Sequence, residues 1–369
     1  MAGIYIHIPF CRQACHYCNF HFATSLRYKN ELIAALLKET ELRHEYFGEE
    51  DVETIYVGGG TPSLLAGADI KGLLEKTYEL FNVLPNAEVT LEANPDDISE
   101  EKLIQWKEAG INRLSIGVQS FFEEDLRWMN RAHNANQAAG SLQSAARYFD
   151  NITIDLIYGT PLLTNEKWKI NVDTAIQFNV PHFSCYALTV EPRTALQKLI
   201  SMGKTPDVNA DKQSEQFVLL MQWMKEAGYE HYEISNFAKP GFRSRHNSSY
   251  WRGKKYLGIG PSAHSFDGNS RQWNVSNNAQ YIQAIEKGFI PFEKEELTAT
   301  QKLNEYIMTS LRTIEGLNLK HVDQSARRQL EMTAKKYIDG GLMKIKHDFL
   351  ILTNEGKLLA DGIAAALFF

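Results

Sequence analysis

The sequence contains no apolar run approaching the roughly 18 residues that a membrane-spanning helix needs, and no charged-then-apolar leader opens it. Four cysteines in 369 residues are too few for a secreted disulfide framework, and their placement calls for a reducing compartment. The net charge of −6 denies the chain the broad basic footprint of a nucleic-acid binder. Only Arg243, Arg245, Arg252, Lys254 and Lys255 crowd one segment, whose plain reading is a solvated loop. Internal repeats and low-complexity tracts are missing too. These absences predict a soluble, cytoplasmic protein with no transmembrane segment and no nucleic-acid partner. What remains is ordinary: 44% hydrophobic and 23% charged residues, in a chain long enough for one large domain and a smaller one.

Three of the four cysteines stand together at Cys11, Cys15 and Cys18, directly after a strand-like run over residues 4–8. Three thiolates from one short loop can each grip one iron of a 4Fe-4S cubane and leave the fourth iron without a protein ligand. An open iron can chelate the amino and carboxylate groups of S-adenosylmethionine, next to a sulfonium that a reduced cluster can cleave. The competing reading is structural zinc, which takes four ligands; His16 and His21 are at hand to complete such a set. The strand before the loop and the glycines after it favour the cluster. Cys185, inside the apolar run from Phe183 to Leu188, reads as a small core hydrophobe.

The first half of the chain alternates short β-branched runs with helix-period segments, the pattern of parallel strands joined by helical crossovers. Six strands are predicted, over residues 4–8, 54–57, 88–92, 113–118, 152–158 and 182–188. A helix over 29–47 is expected from the stripe Leu32, Ile33, Leu36 and Leu37. In parallel βα folds ligand groups gather beyond the strand C-termini. Polar or glycine-rich elements recur at that end: the cysteines, Gly58-Gly59-Gly60-Thr61-Pro62, Glu92, Gly117-Val118-Gln119 and Asp155. Glycines let a backbone approach a ligand closely. An isolated glycine run would be a turn, but this one follows a strand downstream of the cysteines.

The cysteine loop, Gly59-Gly60-Thr61-Pro62, Glu92, Gly117-Val118-Gln119, Asn130-Arg131 and Asp155-Leu156-Ile157-Tyr158-Gly159 follow one another in an order that resembles the oxygen-independent coproporphyrinogen III oxidase family of radical S-adenosylmethionine proteins. The resemblance covers nearly the whole chain. It implies an α/β fold, a partial (β/α)6 TIM-like barrel with a smaller α+β, winged-helix-like C-terminal domain. It also implies cofactor contacts from Tyr5, Tyr17, Gly59, Gly60, Thr61, Glu92, Gln119, Arg131 and Asp155. The residue types suit those tasks: carboxylates and an amide accept from ribose hydroxyls or an ammonium, and a guanidinium forks onto a carboxylate. Domain boundaries are expected at 1–235 for the core, 236–295 for a connecting segment and 296–369 for a C-terminal cap.

Two activities compete within that family. In one, the chain decarboxylates coproporphyrinogen III oxidatively by radical chemistry. In the other, it resembles the heme-chaperone branch and carries heme without that activity. Three features favour the carrier. Phe20 stands two residues past Cys18, where the oxidases have a further cysteine. The ten residues before Cys11 leave no room for the segment that precedes the oxidase cysteines. The run His246-Asn247-Ser248-Ser249-Tyr250-Trp251 matches the HNxxYW motif of the carrier branch, making His246 a candidate axial ligand for heme and Tyr250 and Trp251 candidate pocket walls. A histidine satisfied inside the fold is the bland alternative, and His7 and His264 are further candidates. The implied partners are heme, heme-accepting respiratory membrane proteins approached peripherally, a heme-storing ferritin as donor, and a second copy of the chain.

Overall fold

The computed structural model describes all 369 residues. Six parallel strands come first: β1 (Ala2–Ile8), β2 (Val52–Gly59), β3 (Val83–Ala93), β4 (Arg113–Gln119), β5 (Ile152–Tyr158) and β6 (His182–Ala187). Each predicted strand is present, several of them longer than expected. Their side chains alternate as a two-residue period demands. Ile4, Ile6, Ile8, Ile55, Val57, Val89, Leu91, Leu114, Ile116, Ile154 and Phe183 are buried in one apolar core. That core lies beneath the crossover helices. The opposite face of the strands lines a polar lumen, built from Tyr5 and His7, Thr54 and Tyr56, Glu88 and Glu92, Arg113, Thr153 and Asp155, His182 and Ser184.

The crossover helices begin where the sequence supplies caps. Ser99, Asn134 and Thr164 each accept a hydrogen bond from the backbone N–H three residues on, satisfying a donor that the first helical turn leaves free. The first helix ends at Leu42 rather than at 47. The next residue, Arg43, turns inward, and its guanidinium donates to Glu39, Gln272 and Asn274.

Residues 236–295 are woven into the main sheet. Strand β7 (Glu230–Glu233) and β8 (Asn236–Ala238) extend the sheet beyond β6. The helix Arg245–Trp251 then crosses to the other edge. There β9 (Tyr256–Ile259) pairs in parallel with β1, and β10 (His264–Phe266), β11 (Ser270–Asn274) and β12 (Phe292–Glu296) follow in antiparallel order. The sheet therefore reads β12-β11-β10-β9-β1-β2-β3-β4-β5-β6-β8-β7. It is a partial barrel of the TIM type, with β1 paired on both sides.

The basic segment is mostly spent within the fold. Arg243 pairs with Glu230 and Glu315, Lys254 with Glu53, Lys255 with Glu50, and Arg245 donates to the carbonyl of Asn86.

A smaller winged-helix-like unit closes the chain. Helices Ala299–Leu311, Gln324–Asp339 and Ala360–Ala366 pack on a three-stranded sheet, ordered β13 (Leu317–Asn318), β15 (Phe349–Leu352), β14 (Met343–Lys346). His347 and Asp348 have φ of 49° and 68°, the left-handed pair that a two-residue hairpin turn requires. Ile307, Leu330, Leu350 and Ile363 form a core of its own. Arg312 ties it to the barrel through Glu233 at 3.0 Å, and also pairs with Asp361 of its own unit at 3.1 Å. No helix is long and apolar enough to cross a membrane.

Candidate functional site

At the C-terminal ends of the parallel strands lies a cavity of about 530 Å³. Cys11, Cys15 and Cys18 line one side of it, and Tyr5, Tyr17, Gly59, Gly60, Thr61, Glu92, Gln119, Arg131 and Asp155 the rest. All the residues expected at the cluster and cofactor sites thus share one chamber. The three cysteines are free thiols. His16 is turned away, its Nδ1 against the carbonyl of Trp128 at 2.9 Å, and His21 points to Asn278. The arrangement therefore disfavours the zinc reading.

The loop chemistry matches a larger anionic group. Thr61 Oγ1 donates to Cys11 Sγ at 3.6 Å and Arg131 Nη1 to Cys15 Sγ at 3.3 Å. Burial pushes the Cys11 thiol up to about 11, so a thiolate there needs the positive charge that metal ligation brings. Gly59 has φ +111°, and a Cβ on it would meet the His7 ring at 2.6 Å. A Cβ on Gly60 would meet the carbonyl of Phe10, in the approach to the cysteine loop, also at 2.6 Å. Only glycines pass this close. Arg131 donates to Asn94 Oδ1 at 2.7 Å and to the carbonyl of Gly117 at 2.8 Å, while its buried Nε keeps a free N–H. The residues present fit a trithiolate-held cluster with a polar organic ligand beside it.

The carboxylates are held for an incoming donor. Glu92 accepts from the Tyr56 hydroxyl at 2.8 Å and from the Gly59 amide at 3.0 Å. Burial nevertheless pushes its carboxyl up to about 7, against the pull of the Tyr56 bond. Asp155 rises to about 6 for the same reason, opposed by Arg113. Gln119 sits at φ +66° at the end of β4, strained backbone of the sort that collects at ligand sites. Cys185 is buried in the main core, away from the chamber.

A model of the radical SAM superfamily matches residues 5–174. The heme chaperone HemW of Bacillus subtilis (strain 168) is 35% identical, and the match covers 99% of both chains. HemW of Mycobacterium tuberculosis (strain H37Rv) is 35% identical over 99% of this chain and 94% of its own. HemW of Escherichia coli K12 is 34% identical over 85% and 83%. The chain belongs to the HemW family. Membership in this radical SAM family implies a 4Fe-4S cluster and S-adenosylmethionine. Among solved structures, coproporphyrinogen III oxidase (HemN) from Escherichia coli superposes with a TM-score of 0.86 at 24% identity, covering 100% of this chain and 90% of that one. That likeness establishes the shared fold.

Within this HemW-family fold the HNxxYW residues lie elsewhere, which corrects the reading of His246 as an open heme ligand. His246 is 1% exposed at the foot of the lumen. Its Nδ1 lies 2.7 Å from Thr54 Oγ1 and its Nε2 2.9 Å from the Tyr250 hydroxyl. Both ring nitrogens are engaged, and no iron reaches them without opening the barrel floor. The Tyr250 hydroxyl is occupied by the same bond, and its ring meets those of His246 and Tyr256 edge-on. Trp251 alone of the three lines a surface cleft, shared with Tyr306, His321 and Phe349 of the C-terminal unit. His7 is likewise enclosed, between the Tyr5 hydroxyl and the carbonyl of His21, whereas His264 is exposed.

The sequence reading gives no site role to Asn94, which accepts from Arg131 and donates to Thr61, and offers His7 only as a heme candidate, whereas it supports Tyr5. Two-residue spacing held the signal for both: Asn94 follows Glu92, and His7 follows Tyr5, on the same strand face.

Proposed function

We propose that Cys11, Cys15 and Cys18 hold the 4Fe-4S cluster, and that Tyr5, Tyr17, Gly59, Gly60, Thr61, Glu92, Gln119, Arg131 and Asp155 surround S-adenosylmethionine. The chain then acts as a heme chaperone that passes heme to respiratory membrane proteins. The observation carrying this reading is near-full-length likeness to heme chaperones, joined to a single chamber that gathers the residues expected at the cluster and cofactor sites. When bound, the cluster supplies the electron for reductive cleavage of a sulfonium. The chain's own residues do the rest. Gly59 and Gly60 give the ligand backbone contact at close range. Glu92 and Asp155 accept from its ammonium or ribose hydroxyls, and Arg131 supplies a buried donor and a fixed positive charge beside the cysteine loop.

Phe20 supports the carrier over the oxidase. It is 70% exposed at the chamber's mouth beside Phe22, an apolar rim where the oxidases have a cysteine, and such a rim suits a flat macrocycle. Recipient proteins approached peripherally at the membrane, a ferritin donor and a second copy of the chain belong to the same proposal, as does the division of the chain into core and cap.

One anaerobic preparation tests it. After cluster reconstitution, hemin titration followed by absorbance is expected to saturate, and coproporphyrinogen III is expected to return unchanged. Vinyl product without hemin binding would replace the carrier with the oxidase.

A further inference from the structure

The lumen is closed at its foot by one short helix, Arg245–Trp251. Ser244 caps it by accepting from the amide of Asn247 at 3.3 Å. The buried carboxylate of Glu88 takes the amides of Arg245 at 3.0 Å and His246 at 2.9 Å. These bonds fix the helix start and aim the imidazole of His246 up the lumen. There it lies over the Tyr56 ring, centroids 5.0 Å apart and planes 28° from parallel. Tyr5 stacks against Tyr56 as well, at 6.1 Å and 30°. The space is tight, since a Cβ on Gly3 would meet the imidazole at 3.3 Å. Tyr56 in turn donates to Glu92, whose second oxygen holds the Gly59 amide. An unbroken column thus runs from the floor helix to the carboxylate facing the chamber.

We propose that His246 is a positioning residue for the S-adenosylmethionine site, holding the Tyr56 ring where its hydroxyl fixes Glu92 against the bound ligand. The proposal rests on the assignment of Glu92 as an acceptor in that site. A phenol free to swing leaves Glu92 with one donor fewer, and a buried carboxyl without that donor takes up a proton more readily. A protonated Glu92 is a poorer partner for an ammonium or a hydroxyl. The groups that face it are Tyr5, Tyr56, Asp155, Tyr186 and Tyr250. Of these only Tyr56 donates to it. Loss of the support is therefore expected to move the pH profile of ligand binding in the alkaline direction.

The test uses cluster-loaded full-length protein, with S-adenosylmethionine affinity measured by equilibrium dialysis from mildly acidic to mildly alkaline pH. Hemin titration runs in parallel. His246→Ala and Tyr56→Phe are each expected to weaken S-adenosylmethionine binding roughly tenfold, the size of one lost hydrogen bond to a charged group, and to shift the profile alkaline. The double variant is expected to lose little more than either single one, and His246→Gln to recover part of the loss. Hemin binding is expected to stay intact in all of them. Unchanged affinity and profile in His246→Ala and Tyr56→Phe, with Glu92→Gln weakened, would overturn the positioning role alone. Unchanged affinity in Glu92→Gln removes the site assignment and the positioning role together. Hemin binding lost in His246→Ala, with S-adenosylmethionine binding intact, returns His246 to the heme site. Should His246→Ala fail to fold by circular dichroism, His246→Gln and Tyr56→Phe decide the matter by the same readouts.

Discussion

The two ends of the barrel lumen are both polar, yet they treat their polar groups in opposite ways. At the foot, Glu88 takes two helix amides and faces Arg113, while His182 lies between Thr153 at 3.0 Å and the Tyr232 hydroxyl at 2.7 Å. Most of these groups are taken up by the protein itself, although Arg113 Nε, like Arg131 Nε, has no hydrogen-bond partner. At the cysteine end, Glu92 and Asp155 keep accepting capacity and Arg131 keeps an unmatched N–H. What sets the cysteine end apart is that its raised carboxyls and its unmatched guanidinium N–H border an open chamber, so that end is the one built for something that is not protein. The difference separates a structural end from a ligand end without reference to any relative.

The largest effect expected from breaking this contrast comes from the cysteines. Replacing Cys11, Cys15 or Cys18 by alanine should abolish cluster loading, read as iron and sulfide content falling to background. Next is the foot of the lumen, where Arg113→Leu leaves Glu88 buried without its partner charge. Such a loss costs about 3–5 kcal/mol and should appear in urea unfolding of the cluster-free protein. Glu92→Gln is milder and acts through pH. The folded pKa of Glu92 lies above its unfolded value, so the unfolded chain releases its proton first as pH rises. Stability is accordingly full below the unfolded value near 4.5 and declines up to about 7. Glu92→Gln should flatten that decline in unfolding curves taken across the window, with Asp155 leaving a residual slope. The smallest effect belongs to Cys185→Ala, which trims one small buried side chain. Its cost should be about 1 kcal/mol, with cluster content unchanged.

Much of this contrast was legible in the residues. Short β-branched runs between helix-period segments marked β1 through β6, and the end at which Cys11, Gly59, Glu92, Gln119 and Asp155 recur identified the ligand face. Both signals are local, since strand period and strand-end position are fixed within a few residues. What stayed hidden depends on distant partners. His246 reads as a ligand in its motif, and only Thr54 and Glu88, far back in the sequence, make it an interior support. Strands β8 to β12 run three to five residues each, too short for a periodic signal. The edge strand β12, Phe-Glu-Lys-Glu-Glu, is exposed throughout; charges of that kind guard a sheet edge and disguise it as a loop.

Strand β1 carries the cysteine loop at its end, and its outer neighbour β9 is formed by residues 256–259. On the ribosome the thiols therefore emerge long before the strand behind them has both its partners. Domains settle as units once their long-range contacts can close, so the seat for the cluster is finished late in synthesis. On the proposed cluster assignment, loading of this chain is expected after translation of the barrel rather than during it.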